Sequence, residues 1–123
     1  MKEETKSYLI MEKTDFSQKI NDRIAIGKEL LSQQITSDES LVNFRNEVSK
    51  WLDYNLELLK QSFDNPDNEY RKDFKKSHFI AGNIGSHSLY EDVERKKKEV
   101  SSYIKGLEKI LNKLDLIPVK GIK

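Results

Sequence analysis

The sequence has no cysteine, two prolines and five glycines in its 123 residues. The absence of cysteine excludes a disulfide framework and any thiolate metal site. Scarce proline leaves long segments open to helix formation, because proline removes a backbone donor and clashes inside a helix. The length suits one compact domain. We expect a cytoplasmic location, because the chain shows no sign of disulfide use.

The chain also lacks an excess of either charge and any long apolar run. Its 22 basic and 21 acidic residues give a formal net charge of +1, so no overall field draws it to nucleic acid or to an anionic membrane. No apolar stretch approaches the roughly 20 residues that span a bilayer. The apolar run at residues 8–11 is too short for a signal sequence. We therefore expect no membrane partner.

Apolar residues recur at helical spacing in three long segments. The first is predicted from about Phe16 to Ile35, with Thr14 or Asp15 as N-cap. The second follows a capping box in which Thr36 is the cap. Its reciprocal partner in that box is the glutamate three residues later.

The last long helix is predicted to begin at a second capping box, Ser88 with Glu91, and to continue to about Leu114. A short helix over about 67–76 precedes it, with proline favouring its start. The predicted fold is all-α: an antiparallel bundle of three long helices plus one or two short ones. We expect an N-terminal arm or short helix at 1–13, the bundle domain at 14–117 and a tail or linker at 118–123.

Three residues are predicted to shape the core of the bundle. Gly27 lies on the apolar face of the first helix, where a missing side chain allows another helix to approach closely. Trp51 lies on the apolar face of the second helix. Asn55 falls in the middle of the same face, where a buried amide often fixes packing register at some cost in stability.

Several apolar residues lie outside the main stripes. They either are covered by this same chain or form a surface for a partner or for self-association. The candidate partner surface comprises Leu9, Ile10, Ile26, Leu30 and Tyr54.

No constellation in the sequence carries the requirements of catalysis. His78 and His87 flank a loop with two glycines, but they lack the further ligands that zinc needs. A phosphate-binding role for the loop at 82–88 lacks the Lys-Ser/Thr ending of a P-loop and a preceding strand. Most carboxylates accompany lysines at helical spacing, as on solvated faces. We predict no catalytic residue, no metal and no cofactor, and we expect the protein not to be an enzyme.

Two basic groups, at 71–78 and 95–98, support an alternative reading. Aromatic residues interleave the first group, as on surfaces that follow a phosphate backbone. Acidic neighbours dilute both groups. The alternative function is a nucleic-acid-binding regulator, with the candidate surface Arg71, Lys72, Lys75, Lys76, Arg95 and Lys97.

Three stretches carry a resemblance to a known family: RIAIGKELL at 23–31, FRNEVSKW at 44–51 and NLELLK at 55–60. Together with a long final helix, this pattern resembles the helical domain that precedes TIR-like nucleotide-binding domains in bacterial proteins, many of them linked to phage defence. The resemblance covers about residues 20–114. It implies an accessory or sensing module only, because no strand-rich segment follows to supply the effector's catalytic residues.

The function predicted from the sequence is therefore a non-catalytic helical interaction or oligomerisation module. Its partner is expected to be another protein or a second copy of the chain. The resemblance places it in a bacterial or phage-defence setting. Nucleic-acid binding is the alternative, and a small ligand in the loop at 82–88 is a third hypothesis.

Overall fold

The computed structural model describes residues 7–77 and 88–120. These residues form four α-helices and no strand: α1 Lys13–Leu31, α2 Asp38–Gln61, α3 Glu69–Lys75 and α4 Leu89–Asn112. A 3-10 turn, Leu114–Leu116, follows α4. The predicted all-α bundle of three long helices plus short ones is confirmed. Among the described residues, no helix combines the length and hydropathy that crossing a membrane requires.

The start of α4 follows the prediction from the sequence. The Ser88 hydroxyl accepts from the Glu91 amide at 3.1 Å, and the Glu91 carboxylate accepts from the Ser88 amide at 3.1 Å. This reciprocal pair is a complete capping box, so two amides at the helix start are satisfied.

The predicted start of α2 was wrong by one residue. Ser37, not Thr36, is the N-cap, and Ser40 supplies the reciprocal side chain in place of Glu39. The Ser37 hydroxyl accepts from the Ser40 amide at 3.0 Å, while the Ser40 hydroxyl accepts from the Ser37 amide at 3.0 Å. Ser40, the third residue of the helix, completes the box because its hydroxyl accepts the hydrogen bond that a glutamate carboxylate would otherwise accept.

The other two helix starts also differ from the prediction. Helix α1 begins at Lys13 after Glu12, which makes no side-chain cap, so neither Thr14 nor Asp15 is the N-cap. Helix α3 begins after Asn68, whose side chain accepts from the Arg71 amide at 2.8 Å. Asn68 is fully buried and also donates to the carbonyl of Leu59 at 2.9 Å. These bonds make Asn68, rather than the proline before it, the residue that fixes the start of α3.

Helix α1 lies between α2 and α4 and packs against both. Arg23 contacts Asn55 in the last third of α2, and Gln33, further along the chain, contacts Glu47 about two turns earlier in α2, so α1 and α2 are antiparallel. Gln33, just beyond the end of α1, also contacts α4, because the Lys97 ammonium donates to the Gln33 carbonyl at 2.7 Å. Together with the contact between Gly27 and Ile104, this makes α1 antiparallel to α4 as well. Helices α2 and α4 therefore run in the same direction.

The predicted close approach at Gly27 is confirmed. A Cβ atom at this position would lie 2.6 Å from Cζ2 of Trp51 and 2.9 Å from Cγ1 of Ile104. Both neighbours are buried, as is Asn55, which is fully inaccessible to solvent. Helix α1 can thus touch α2 and α4 at the same level because it carries no side chain there. The buried hydrophobic core includes Phe16, Ile20, Ile24, Phe44, Val48, Leu59, Phe63, Phe74, Val100, Leu107 and Ile117.

The N-terminal segment of the described chain is part of this core. Leu9 is fully buried and forms isolated β-bridges with Phe63 and Val119. Its amide donates to the Pro118 carbonyl at 2.8 Å, and its carbonyl accepts from the Lys120 amide at 2.7 Å. The expected arm and the expected tail therefore meet on the bundle, and residues 8–11 do not form a helix.

Candidate interaction surface

A groove of about 510 Å³ runs along the outer side of the α1–α2 pair. Residues of α1 and α2 line it, together with Gln33 just beyond the end of α1, and we call it the α1–α2 groove. Leu30 and Trp51 line its floor and are buried. Ile26 and Tyr54 also line it, and 38% and 57% of their surfaces are exposed. The groove thus offers a narrow apolar strip to solvent.

Three of the five residues predicted for a partner surface meet in this groove: Ile26, Leu30 and Tyr54. Leu30 differs from the expectation because it is 6% exposed, so it forms the floor rather than an open contact. Leu9 is also buried within the chain, because two backbone segments cover it, and the prediction that it is open to a partner is wrong for this fold. Ile10 is 51% exposed but does not line the groove.

A second, smaller depression adjoins the groove through Tyr54. It has a volume of about 280 Å³, and its apolar lining includes Met11 and Leu58. Both residues are half-buried. Apolar surface therefore continues from Ile26 across Tyr54 to the N-terminal segment, which gives the candidate surface more length than the groove alone.

Arg23 holds the two walls of the groove together. Its Nε donates to Oδ1 of Asn55 at 2.7 Å, and its guanidinium carbon lies 4.1 Å from the centre of the Tyr54 ring. In return, the indole Nε1 of Trp51 donates to the Arg23 carbonyl at 2.9 Å. These bonds fix the register of α1 on α2, and the cation–π contact holds the exposed Tyr54 ring in place.

The electrostatics of this network are unusual for an arginine. Partial burial lowers the pKa of Arg23, since desolvation disfavours its charge, although Tyr54 and Asp22 act in the opposite direction. Among the described residues, Arg23 makes no ion pair, and Nδ2 of buried Asn55 has no hydrogen-bond partner. The site therefore holds a half-buried cation whose hydrogen-bond and ring partners, namely Asn55, the Trp51 carbonyl and Tyr54, are all neutral.

Three more charged side chains line the groove: Glu29, Glu47 and Lys50. Within residues 7–77 and 88–120, none of them takes part in a salt bridge. Glu47 accepts from Nε2 of Gln33 at 2.8 Å, which leaves its charge uncompensated. Neither these residues nor Arg23 was predicted from the sequence, because a charge at helical spacing gives no sign of which neighbour it will face.

The residues of the nucleic-acid alternative are mostly engaged within the chain. Arg71 donates to the Leu56 carbonyl at 3.3 Å, Lys72 lies 3.6 Å from Asp67, and Arg95 lies 3.2 Å from Asp92. Lys75 also has a partner.

The two remaining members of that alternative surface point to different parts of the fold. The Lys97 ammonium donates to the carbonyl of Gln33, which follows the end of α1. Lys76 lines a cavity of about 270 Å³ beside Lys109 and Lys113. The six candidate residues thus lie on α3, at its C-terminal cap and on α4, and nucleic-acid binding stays the alternative prediction.

The expectation that the protein is not an enzyme stays a prediction from the sequence, as do the expected absences of a metal and of a cofactor. The described residues contain no cluster of three or more histidine, aspartate or glutamate side chains able to hold a metal ion. His78, His87 and the loop at 82–87 lie outside the described residues, so the ligand-binding hypothesis for that loop stays a prediction.

Comparison with known proteins adds no relative from which a role could be transferred. The resemblance to the helical domain of TIR-linked bacterial proteins, and the defence setting that it implies, stay predictions from the sequence. No family model, no curated protein and no solved structure matches this chain.

Proposed function

We propose that this chain is a non-catalytic interaction module that docks a macromolecule in the α1–α2 groove. The observation that carries the proposal is the coincidence, in one groove, of exposed Ile26 and Tyr54 with charged side chains that lack ion-pair partners in the described chain. Binding surfaces commonly combine an apolar centre containing an aromatic anchor with a charged rim. A cytoplasmic setting belongs to the same proposal, since the chain contains no cysteine.

Other exposed apolar residues do not offer the same combination. Val42, Tyr90 and Leu116 are 52%, 71% and 76% exposed, but none of them lines any of the three described cavities. Single exposed apolar side chains are ordinary on protein surfaces and need no partner. The groove differs because its apolar residues are contiguous and Arg23 restrains one of them.

The proposal is tested by recording amide spectra of isotope-labelled protein in buffer and in an extract of its host cells. We expect the signals of Ile26, Tyr54 and the Trp51 indole to broaden in the extract, because these groups line the groove. The signal of Tyr90, exposed on α4, serves as the internal control. The substitution Ile26→Glu should remove the broadening, whereas Val42→Glu, which also replaces an exposed β-branched side chain by glutamate but lies outside the groove on α2, should leave it.

Two outcomes contradict the proposal. Groove signals that match those of dilute protein, both in the extract and in buffer at high protein concentration, show that the groove has no occupant. Broadening centred on the basic residues at 71–76 and 95–98, and abolished by nuclease treatment, favours the nucleic-acid alternative instead. Salt separates the two cases as well, because binding to nucleic acid weakens steeply as salt rises.

A further inference from the structure

The charges along the α1–α2 groove are ordered by position. Arg23 lies at the end that also carries Tyr54, and Glu47 lies at the opposite end, beside Gln33. Glu29 and Lys50 lie between these ends on facing helices. The groove therefore holds two positive and two negative charges, with a positive end and a negative end.

The spacing on α1 is symmetric about one exposed apolar residue. Arg23 and Glu29 each lie three residues from Ile26, which is about 4.5 Å along the helix axis on either side. All three side chains line the groove. If a second α1 is laid antiparallel on the first with Ile26 against Ile26, each Arg23 faces a Glu29.

We propose that the occupant of the α1–α2 groove is a second copy of this chain, docked antiparallel through the same groove. In this dimer the Ile26 side chains pack on each other at the two-fold axis. Each Arg23 lies beside Glu29 of the second copy. The inference rests on the proposed function, since it names the partner of the same groove.

Self-complementarity is what a two-fold interface requires. In such an interface the same patch of each copy contacts the other copy, so every contact between two different residues occurs twice. The antiparallel orientation brings the positive end of one groove onto the negative end of the other. The opposite orientation places Arg23 against Arg23 of the second copy, and like charges so close together are unfavourable.

The charge pattern also favours a second copy over an unrelated amphipathic helix. The two positive and two negative charges in the groove sum to zero, so it has no net attraction for a strongly acidic or strongly basic helix. The order of its charges, positive at one end and negative at the other, is complementary to a surface whose charges run in the reverse order. The same groove, turned by 180°, has that order.

The test measures self-association of purified full-length protein by sedimentation equilibrium, up to about 1 mM protein, where weak dimers with millimolar dissociation constants are still detected. One variant, Glu29→Lys/Glu47→Lys, makes the groove strongly positive. A second variant, Lys50→Glu, makes it negative overall. The control is Glu94→Lys/Glu108→Lys, which changes the net charge by the same amount as the first variant but acts on α4.

We expect the wild type to dimerise and the first variant to dimerise with a dissociation constant at least about tenfold higher, which corresponds to one like-charge contact. The control should stay within about threefold of the wild type. An equimolar mixture of the first and second variants should form a heterodimer more tightly than either variant forms a homodimer, because opposite charges then face each other.

Three results would overturn the inference. The first is a wild type that is monomeric over the whole concentration range. The second is a dimer that the groove variants weaken no more than the control does. The third is a mixture that gains no heterodimer. The extract spectra test the groove independently of self-association. If the purified protein is monomeric in sedimentation but its groove signals broaden in the extract, the second copy is rejected and the proposed function is kept.

Discussion

Replacing Gly27 by alanine tests whether the close packing at the centre of the bundle is as tight as the structure has it. In a helix, alanine is favoured over glycine by about 1 kcal/mol, so propensity alone predicts a more stable protein. The added Cβ, however, would lie 2.6 Å from Cζ2 of Trp51 and 2.9 Å from Cγ1 of Ile104. Both side chains are buried, with 2% and 5% of their surface exposed, so neither can turn into solvent.

The magnitude follows from these opposing terms. Overpacking a well-filled core costs about 1–3 kcal/mol, and here the Cβ meets two separate side chains. With about 3 kcal/mol lost to overpacking and about 1 kcal/mol gained from propensity, Gly27→Ala should destabilise the fold by about 2 kcal/mol. In urea this corresponds to a midpoint lower by about 1 M.

The assay is urea unfolding, followed by helical circular dichroism and by fluorescence of Trp51, which is the one tryptophan in the sequence. Ala25→Gly, at an exposed position of the same helix, isolates the propensity term and should cost about 1 kcal/mol. In a Trp51→Phe background the nearest clashing atom is absent, so adding Gly27→Ala should cost less than about 1 kcal/mol more. A midpoint that rises on Gly27→Ala in the wild-type background would refute the tight packing.

Two further predictions concern the segments that meet at the chain ends. Leu9→Ala should destabilise the fold by about 2–4 kcal/mol because Leu9 is fully buried. Ile10→Ala, at a 51% exposed neighbour, should cost under about 1 kcal/mol, and equal urea midpoints for the two variants would contradict this packing. The pKa of Asp64 is lowered by the hydrogen bond from the Tyr8 amide and by Lys120. The stabilisation by its carboxylate is therefore complete above its unfolded value of about 3.9 and is lost as the pH falls through the lower folded value. The wild type should lose its stability advantage over Asp64→Asn over that acidic range, and an advantage independent of pH would contradict the assignment.

How much of the fold follows from sequence depends on how local each interaction is. The capping box of α4 was predicted correctly because its two members lie three residues apart, so a local rule determines their contact. At α2 the same rule predicted Thr36, because Glu39 follows it by three residues. The structure instead uses Ser37 with Ser40. Two neighbouring hydroxyl side chains can each cap a helix, and only the backbone conformation selects one of them.

The buried face of α1 shows a second limit. Both Leu30 and Leu31 continue the stripe after Gly27, at spacings of three and four residues, and the prediction placed Leu30 outside the stripe, on the candidate partner surface. The structure buries Leu30 because α1 is covered by α2 and α4 on two sides and ends at Leu31. Which of two adjacent positions turns inward depends on where the neighbouring helices lie, and one sequence alone does not contain that information.

The site was half predictable for the same reason. Ile26 and Tyr54 stood out because they lie off the main apolar stripes of their helices. The bond between Arg23 and Asn55 joins residues 32 apart in the chain, so no spacing rule points to it. Likewise, the burial of Leu9 arises from pairing with residues near 63 and near 119, which are remote in sequence.

The most direct test of the α1–α2 groove as the docking surface is site-specific photocrosslinking in host cells. A photoreactive phenylalanine analogue replaces Tyr54 in one variant and Tyr90 in a matched control, since both side chains are well exposed. If the α1–α2 groove is the docking surface, position 54 gives discrete adducts and position 90 gives none. Adducts of the same mass from both positions, or adducts from position 90 alone, would contradict it.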